Sequence, residues 1–483
     1  MSSPDFSLSL AQVASLTPEL ALVIGGSILL LLEAFAPALR RTFLWLGLAA
    51  VAVASWAYAN AAAGPGFSRL VEATPLTAAF CQAILLATGL GLLSAQGYLT
   101  REKLLAGEYP ALLLWSAAGL CLLVRSTDLL SIFLSLELAS VCLYGLAAFH
   151  RREAVSAEAG IKYFLMGAFV SAFLLYGIAL VYGETGSTAL AGISEAIAAG
   201  RGTVGLLTLG FLLIVAAFGF KLGLVPFHAW APDVYQGAPT PFVAFLSVAP
   251  KVASAVVMVR VVRTIAEGPL GPRWSELVAV LAIASMLLGN LFALVQRDIK
   301  RMLAYSGIAH MGYVMIPLAS PGPDSWRPIL VYLIAYVLMN AGAFGIVGML
   351  YAHPGEQHPI AALSGWGFRF PALAACLTIC LLSLGGIPPT AGFLGKYLVF
   401  LHAIEHRNLG LALVGIAASL VGVVYYLRVV YMLYMKPETA APKALAVDFS
   451  GRLAAFVAAG ATLLLGLLPG ALLERLTSAL TSL

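Results

Sequence analysis

The sequence predicts an all-α polytopic membrane protein of about 14 transmembrane helices, and three observations carry that reading. Only 10% of its 483 residues are charged and 61% are apolar, whereas a soluble protein carries about 25% charged residues because its whole surface must satisfy water. Mean hydropathy is +0.96. Apolar runs of about 20 residues recur along the chain, the length an α-helix needs to cross a hydrocarbon core of about 30 Å. Fourteen such spans consume roughly 280–350 residues. The loops that remain are too short to fold as a soluble domain, so soluble catalysis belongs to partners.

Charge and Gly/Pro clusters bound the first seven spans at 14–36, 42–62, 76–98, 109–125, 128–149, 160–182 and 204–226. Seven more follow at 240–263, 275–296, 301–319, 326–351, 371–401, 409–434 and 452–475. Asp5 and Glu19 stand at the first span, with no basic stretch before it and no small-residue cleavage site after it, so it reads as a retained anchor rather than a signal peptide. An even number of spans leaves both termini on one side. Of the cations outside the spans, 13 fall on one face and 9 on the other, Arg69 and Arg475 among the 9 and Lys443 among the 13. The positive-inside rule then places the richer face in the cytoplasm and both termini in the periplasm. The net charge of +5 is scattered over many loops rather than gathered on one face, which argues against nucleic acid as a partner. The five cysteines, Cys81, Cys121, Cys142, Cys376 and Cys380, include no CxxC pair and read as buried small hydrophobes.

The remaining five cations, Lys162, Lys221, Lys251, Lys396 and Arg428, sit inside predicted spans. A cation at the centre of a membrane helix costs about 2.5–3.5 kcal/mol on insertion scales, so a set of them needs a reason. Glu137 is the matching anion, well inside the fifth span. Glu33 and Arg428 lie within reach of a helix end and read as side chains that snorkel to the interface.

Two spans carry proline beside glycine: FGFKLGLVPFHAW with Pro226, and LLSLGGIPPTAGFLGKY with Pro388 and Pro389. Proline removes a backbone donor and clashes with the preceding turn, so both helices should be interrupted. Aligned on Pro226 and Pro388, KLGLVP and SLGGIP share Leu, Gly and Pro. The breaks fall five spans apart, as two five-helix repeats of opposite orientation would require. The expected organisation is three N-terminal helices in residues 1–108, a first repeat in 109–270, a second in 271–435, and a cytoplasmic loop with a last helix in 436–483.

Lys221 precedes its break and Lys396 follows its own, so the two would serve different half-channels, with Lys251 between them. Burial disfavours an ammonium and a nearby carboxylate favours it, so a lysine whose carboxylate partner approaches and withdraws can gain and lose a proton. Glu137 is the expected modulator of Lys221. His228 and His310 either extend such a proton path, since imidazole exchanges protons near neutral pH, or are satisfied core groups. His150, His353, His358, His402 and His406 fall in loops or at span ends. His402 and His406 are spaced i, i+4, but no third metal ligand is evident, so a solvated face is expected. Nothing supports a haem, an iron–sulfur cluster, a P-loop or a dinucleotide fingerprint, and no redox centre or metal is expected in this chain.

The stretches SLELAS, IKYFLMGAF, FKLGLVPFHAWAPDVYQGAPTPFVAFLSVAPK, QRDIKRMLAYSGIAHMGY and GIPPTAGFLGKY resemble the antiporter-like membrane subunits of respiratory complex I, the proton-translocating NADH:quinone oxidoreductase. The resemblance runs from about residue 110 to 435. Within that family, the opening LTPELALVIGGSILLLLEAF and the chain length resemble the N type. The L type would carry a long lateral helix, and the M type a glutamate where Lys396 stands.

By resemblance, Glu137, Lys221, Lys251 and Lys396 match the family's proton-carrying positions. His310 and His228 match its connecting hydrophilic axis, and Lys162 a basic residue near the first half-channel. The resemblance further implies that NADH, FMN, iron–sulfur clusters and quinone sit on partner subunits. Those partners would include the neighbouring M-type subunit and the small membrane subunits, in a bacterial inner membrane. Two alternatives stand beside it: a subunit of a multi-subunit sodium/proton antiporter, and a structural membrane subunit that conducts nothing.

Overall fold

Apolar length decides where the chain crosses. The computed structural model describes residues 10–61, 64–67, 70–266, 271–350, 358–437, 447–470 and 473–474. Asp5, Arg69, His353, Lys443 and Arg475 lie outside these described residues. Among the described residues, 13 helices are long and apolar enough to cross a membrane. They are Thr17–Phe35, Pro37–Ala59, Pro75–Arg101, Glu108–Arg125, Leu129–Ala147, Ala154–Thr185 and Val204–Leu222, then Thr240–Ala266, Gly271–Val295, Ile299–Ala319, Pro323–Leu350, Leu409–Met435 and Phe449–Leu467. The twelfth expected span, 371–401, is built from two 15-residue helices, Pro371–Gly385 and Ala391–Glu405. Each alone rises only about 22 Å and falls short of the hydrocarbon core, so the crossing needs both halves.

Three features were not read from the sequence: a small antiparallel hairpin, Gly64–Gly66 with Val71–Ala73, and the short helices Leu190–Ala198 and Trp230–Gly237. The sixth span also starts earlier than expected and runs 32 residues. The eighth is interrupted at Ser247–Val248, because Pro250 has no N–H to offer the carbonyl one turn back. All five cysteines are buried and unpaired.

Two helix starts are built alike. The Asp128 carboxylate caps Leu129–Ala147 by accepting from the Leu130 N–H at 2.8 Å, and its second oxygen accepts from the Thr188 hydroxyl. Asp128 also pairs as a bridge with Ala189. Asp298 caps Ile299–Met315 through the Arg301 N–H at 3.0 Å, accepts from the His358 N–H, and bridges to Pro359. The same corner, with the same aspartate cap and the same strand-like pairing, recurs 170 residues later.

The centre of the molecule is formed by Thr240–Ala266, Ile299–Ala319 and Pro323–Leu350, whose apolar stretches are 94–100% buried. Thr17–Phe35 and Ala154–Thr185 lie outside, each 28% buried, and turn Leu31, Phe35, Ile161, Phe164 and Phe169 outward. In lipid that outward apolar face is the solvated one. The N-terminal helices are locked by an ion pair inside the protein. Arg125 meets Glu19 at 2.6 Å with both side chains under 5% exposed, and Tyr58 donates to the same carboxylate oxygen. Glu33 accepts from Arg40 and from the Gly107 N–H, and Arg428 donates to the Leu294 and Gln296 carbonyls.

Candidate functional site

The two helix breaks share one local construction. Val204–Leu222 ends at Gly223, with φ +73°, and Pro371–Gly385 ends at Gly386, with φ +81°. Only glycine adopts this left-handed conformation without a steric penalty. In each case the next residue closes the helix, the Leu224 N–H on the Gly219 carbonyl and the Ile387 N–H on the Leu382 carbonyl. This geometry sets the register: Gly223 matches Gly386, and therefore Pro226 matches Pro389 rather than Pro388. The donors freed by the breaks find hydroxyls. The Val225 N–H donates to Ser285 at 3.0 Å and the Gly392 N–H to Ser383 at 3.0 Å.

Lys221 lies in the last turn before the first break and is buried. Its ammonium donates to the Ser140 hydroxyl at 2.8 Å and stands 5.4 Å from the Tyr144 ring centre. Glu137, Ser140 and Tyr144 lie on one face of Leu129–Ala147, at helical spacings of three and four. Among the described residues no ion pair joins Glu137 to Lys221. The Glu137 carboxylate instead accepts a short hydrogen bond from Ser171. Each charge of the expected pair is thus held by its own serine.

A wall of rings separates this lysine from the next. Tyr163, 5.8 Å from the Lys221 ammonium, stacks on Trp230 at 4.7 Å, and Trp230 meets Tyr235 edge-on. The Trp230 indole N–H also donates to the Phe220 carbonyl at 2.8 Å, satisfying an acceptor at the broken helix end. Lys251, behind Tyr235, donates to the Gly307 carbonyl at 3.0 Å and to the Tyr336 hydroxyl at 3.4 Å.

His310 follows one turn beyond Gly307. Its Nδ1 bonds the Tyr332 hydroxyl at 2.8 Å and its Nε2 the Tyr426 hydroxyl at 3.1 Å, and Tyr426 also bonds Ser306. Lys396 completes the series. It follows its break in sequence but reaches back across it, donating to the Leu384 and Gly385 carbonyls at 3.0 Å each and to the Ser419 hydroxyl at 2.7 Å. An ammonium on the free carbonyls of a helix C-terminus is favourably placed against the helix dipole.

Lys221, Lys251, His310 and Lys396 are therefore buried and linked through hydroxyls, carbonyls and rings. Two expected members stand apart. His228 is half-buried, and among the described residues no hydrogen bond or ring contact joins it to the lysines. Lys162, within Ala154–Thr185, lies apart from the buried series: its side chain is 44% exposed, and it pairs with Glu158 and with Asp233, which Arg301 also engages.

Lys300, which the expected spans leave in the loop between the ninth and tenth, is wholly buried and donates to the Gln236 and Ala238 carbonyls at 2.9 Å each. Its place two residues after the Asp298 cap was the available signal. The tyrosines and serines that hold the lysines were missed as well, because such residues are ordinary in apolar helices.

Comparison with known proteins agrees with this architecture. Residues 126–422 match the family model described as NADH:quinone oxidoreductase/Mrp antiporter, TM. A relative from Trichlorobacter lovleyi, named NADH-quinone oxidoreductase subunit N, is 40% identical over 95% of this chain and 94% of its own. A relative of the same name from Myxococcus xanthus is 37% identical over 98% of each chain. A chain of respiratory complex I from Thermus thermophilus superposes with a TM-score of 0.80 at 32% identity, covering 95% of this chain and 98% of that one. A chain of the Mrp complex from Dietzia shares the fold alone, with a TM-score of 0.82 at 21% identity over 99% of this chain and 98% of its own. With its broken helices, its buried lysines and these relatives along nearly its whole length, the chain belongs to the NADH:quinone oxidoreductase/Mrp antiporter transmembrane family.

Proposed function

We propose that this chain is the N-type, proton-translocating membrane subunit of a bacterial NADH:quinone oxidoreductase, driven by redox chemistry on other subunits. One observation carries the mechanism: Lys221, Lys251 and Lys396 are buried, and among the described residues each ammonium rests on neutral oxygens with no carboxylate in contact. An ammonium held by neutral acceptors loses its proton more readily than one in an ion pair. If Glu137 leaves Ser171 and approaches Lys221, the ammonium is stabilised. If Glu137 withdraws, the proton is released toward Lys251 and on through Tyr336, His310 and the tyrosines around it to Lys396. The switch is electrostatic and uses no cofactor of this chain's own.

NADH, FMN, the iron–sulfur clusters and quinone belong to partner subunits in this reading, and the neighbouring M-type subunit and small membrane subunits pack beside the chain. The inverted-repeat organisation, with repeats in 109–270 and 271–435, is supported by the recurring aspartate corner and the matched breaks at Gly223 and Gly386. The cation count favours periplasmic termini. His228 and Lys162 serve as access groups rather than as links in the buried series.

Proteoliposomes of the assembled complex test this reading when proton uptake is compared per NADH oxidised. Lys221→Ala is expected to lower uptake severalfold, and Glu137→Gln to slow it more than it harms assembly. Unchanged pumping per assembled complex in both variants would make the chain a structural subunit. Uptake that requires sodium would make it an exchanger.

A further inference from the structure

We propose that Asp324, His402 and His406 form a binding site for a divalent transition-metal ion of the zinc class. The sequence offered only two histidines one turn apart. The fold supplies the third ligand from another span. Asp324 lies in the turn Pro323–Ser325 that opens the eleventh span, while His402 and His406 close Ala391–Glu405, the helix that carries Lys396. One donor atom from each of the three lies within 4.8 Å of the others.

The distances fit a metal. The Asp324 Oδ2 is 3.1 Å from His406 Nε2 and 3.4 Å from His402 Nδ1. Ligands bound to zinc at about 2.0–2.2 Å in a tetrahedron stand about 3.3–3.5 Å apart. Two edges of that tetrahedron are thus already close to length, and the outward side, where Asp324 is 55% exposed, leaves a position for water.

The hydrogen bonds behind the rings point the same way. His406 Nδ1–H donates to the His402 carbonyl at 2.9 Å, and His402 Nε2 faces the Ser320 carbonyl at 3.4 Å. Each imidazole that spends its one N–H on a carbonyl turns a bare lone pair toward the carboxylate. A backbone carbonyl behind each ligating ring is the support that metal-bound histidines ordinarily have. Bound there, the ion would tie the end of the Lys396 helix to the start of the eleventh span.

The test is zinc uptake by the full-length chain in detergent after a chelator wash, measured with radioactive zinc, with cobalt absorption as the readout of geometry. His406 and Asp324 lie at the surface, so His406→Ala and Asp324→Asn should leave the fold intact by circular dichroism. The proposal expects one tight equivalent and a tetrahedral cobalt spectrum. Each variant should weaken binding by about 10–100-fold or more, the range seen when support of a metal site is lost, and Glu405→Gln should bind as wild type does. Wild-type uptake no greater than that of the His402→Ala/His406→Ala double variant would overturn it. So would undiminished binding by Asp324→Asn.

Discussion

Lys396 shows how a single side chain depends on the backbone beneath it. A Cβ at Gly386 would lie 2.8 Å from the Lys396 Cδ, whereas at Gly223 it would meet nothing nearer than Ile308 at 3.9 Å. Both positions have left-handed backbone, so alanine costs about 1–3 kcal/mol of strain at either. Only Gly386→Ala should also push the ammonium off its carbonyls. Pumping per assembled complex is therefore expected to fall at least twofold in Gly386→Ala and to stay near wild type in Gly223→Ala. His358 gives a pH test at the same scale. Burial, and then the Lys300 ammonium, push its imidazole down to about 2. The unfolded chain takes up that proton near pH 6.5 and the folded chain does not, so stability falls as pH drops below that point. From pH 7 to 5 the loss is about 2 kcal/mol, and His358→Gln should flatten it in thermal unfolding. The lysines were legible in the sequence because charge inside an apolar run is conspicuous. Their serine and tyrosine partners were not, since nothing in one dimension brings Ser140 to Lys221.

At the scale of the helix, hydropathy located the 13 helices long and apolar enough to cross among the described residues, because apolar length is a one-dimensional property. The exact break was less legible. The two prolines of GIPPT drew the alignment to Pro388, but the helix stops where Gly386 turns left-handed, which moves the match to Pro389. The join between helices was invisible, because Glu19 and Arg125 are 106 positions apart in the sequence. Removing one member of a buried pair leaves an uncompensated charge and costs about 3–5 kcal/mol. Arg125→Ala is accordingly expected to lower the thermal unfolding midpoint and the yield of folded chain, with Arg125→Lys milder. Equal midpoints for Arg125→Ala and wild type would show that the pair does not hold the first helix.

Over the whole molecule, apolar run length and the two proline breaks carried the fold, and burial explains its arrangement. The most apolar-buried helices at the centre carry Lys251, His310 and Tyr336, while the broken helices bring Lys221 and Lys396 in from either side. Lys251 is the junction, since it leaves the eighth span to bond Gly307 of the tenth and Tyr336 of the eleventh. In the proposed series, protons cross between the two halves at this residue. The most direct measurement is the ratio of protons taken up to NADH oxidised in proteoliposomes of the complex carrying Lys251→Met, a substitution that keeps the stem and removes the charge. A lower ratio at undiminished assembly is expected, with the same deficit across pH. An unchanged ratio in the assembled complex would contradict it.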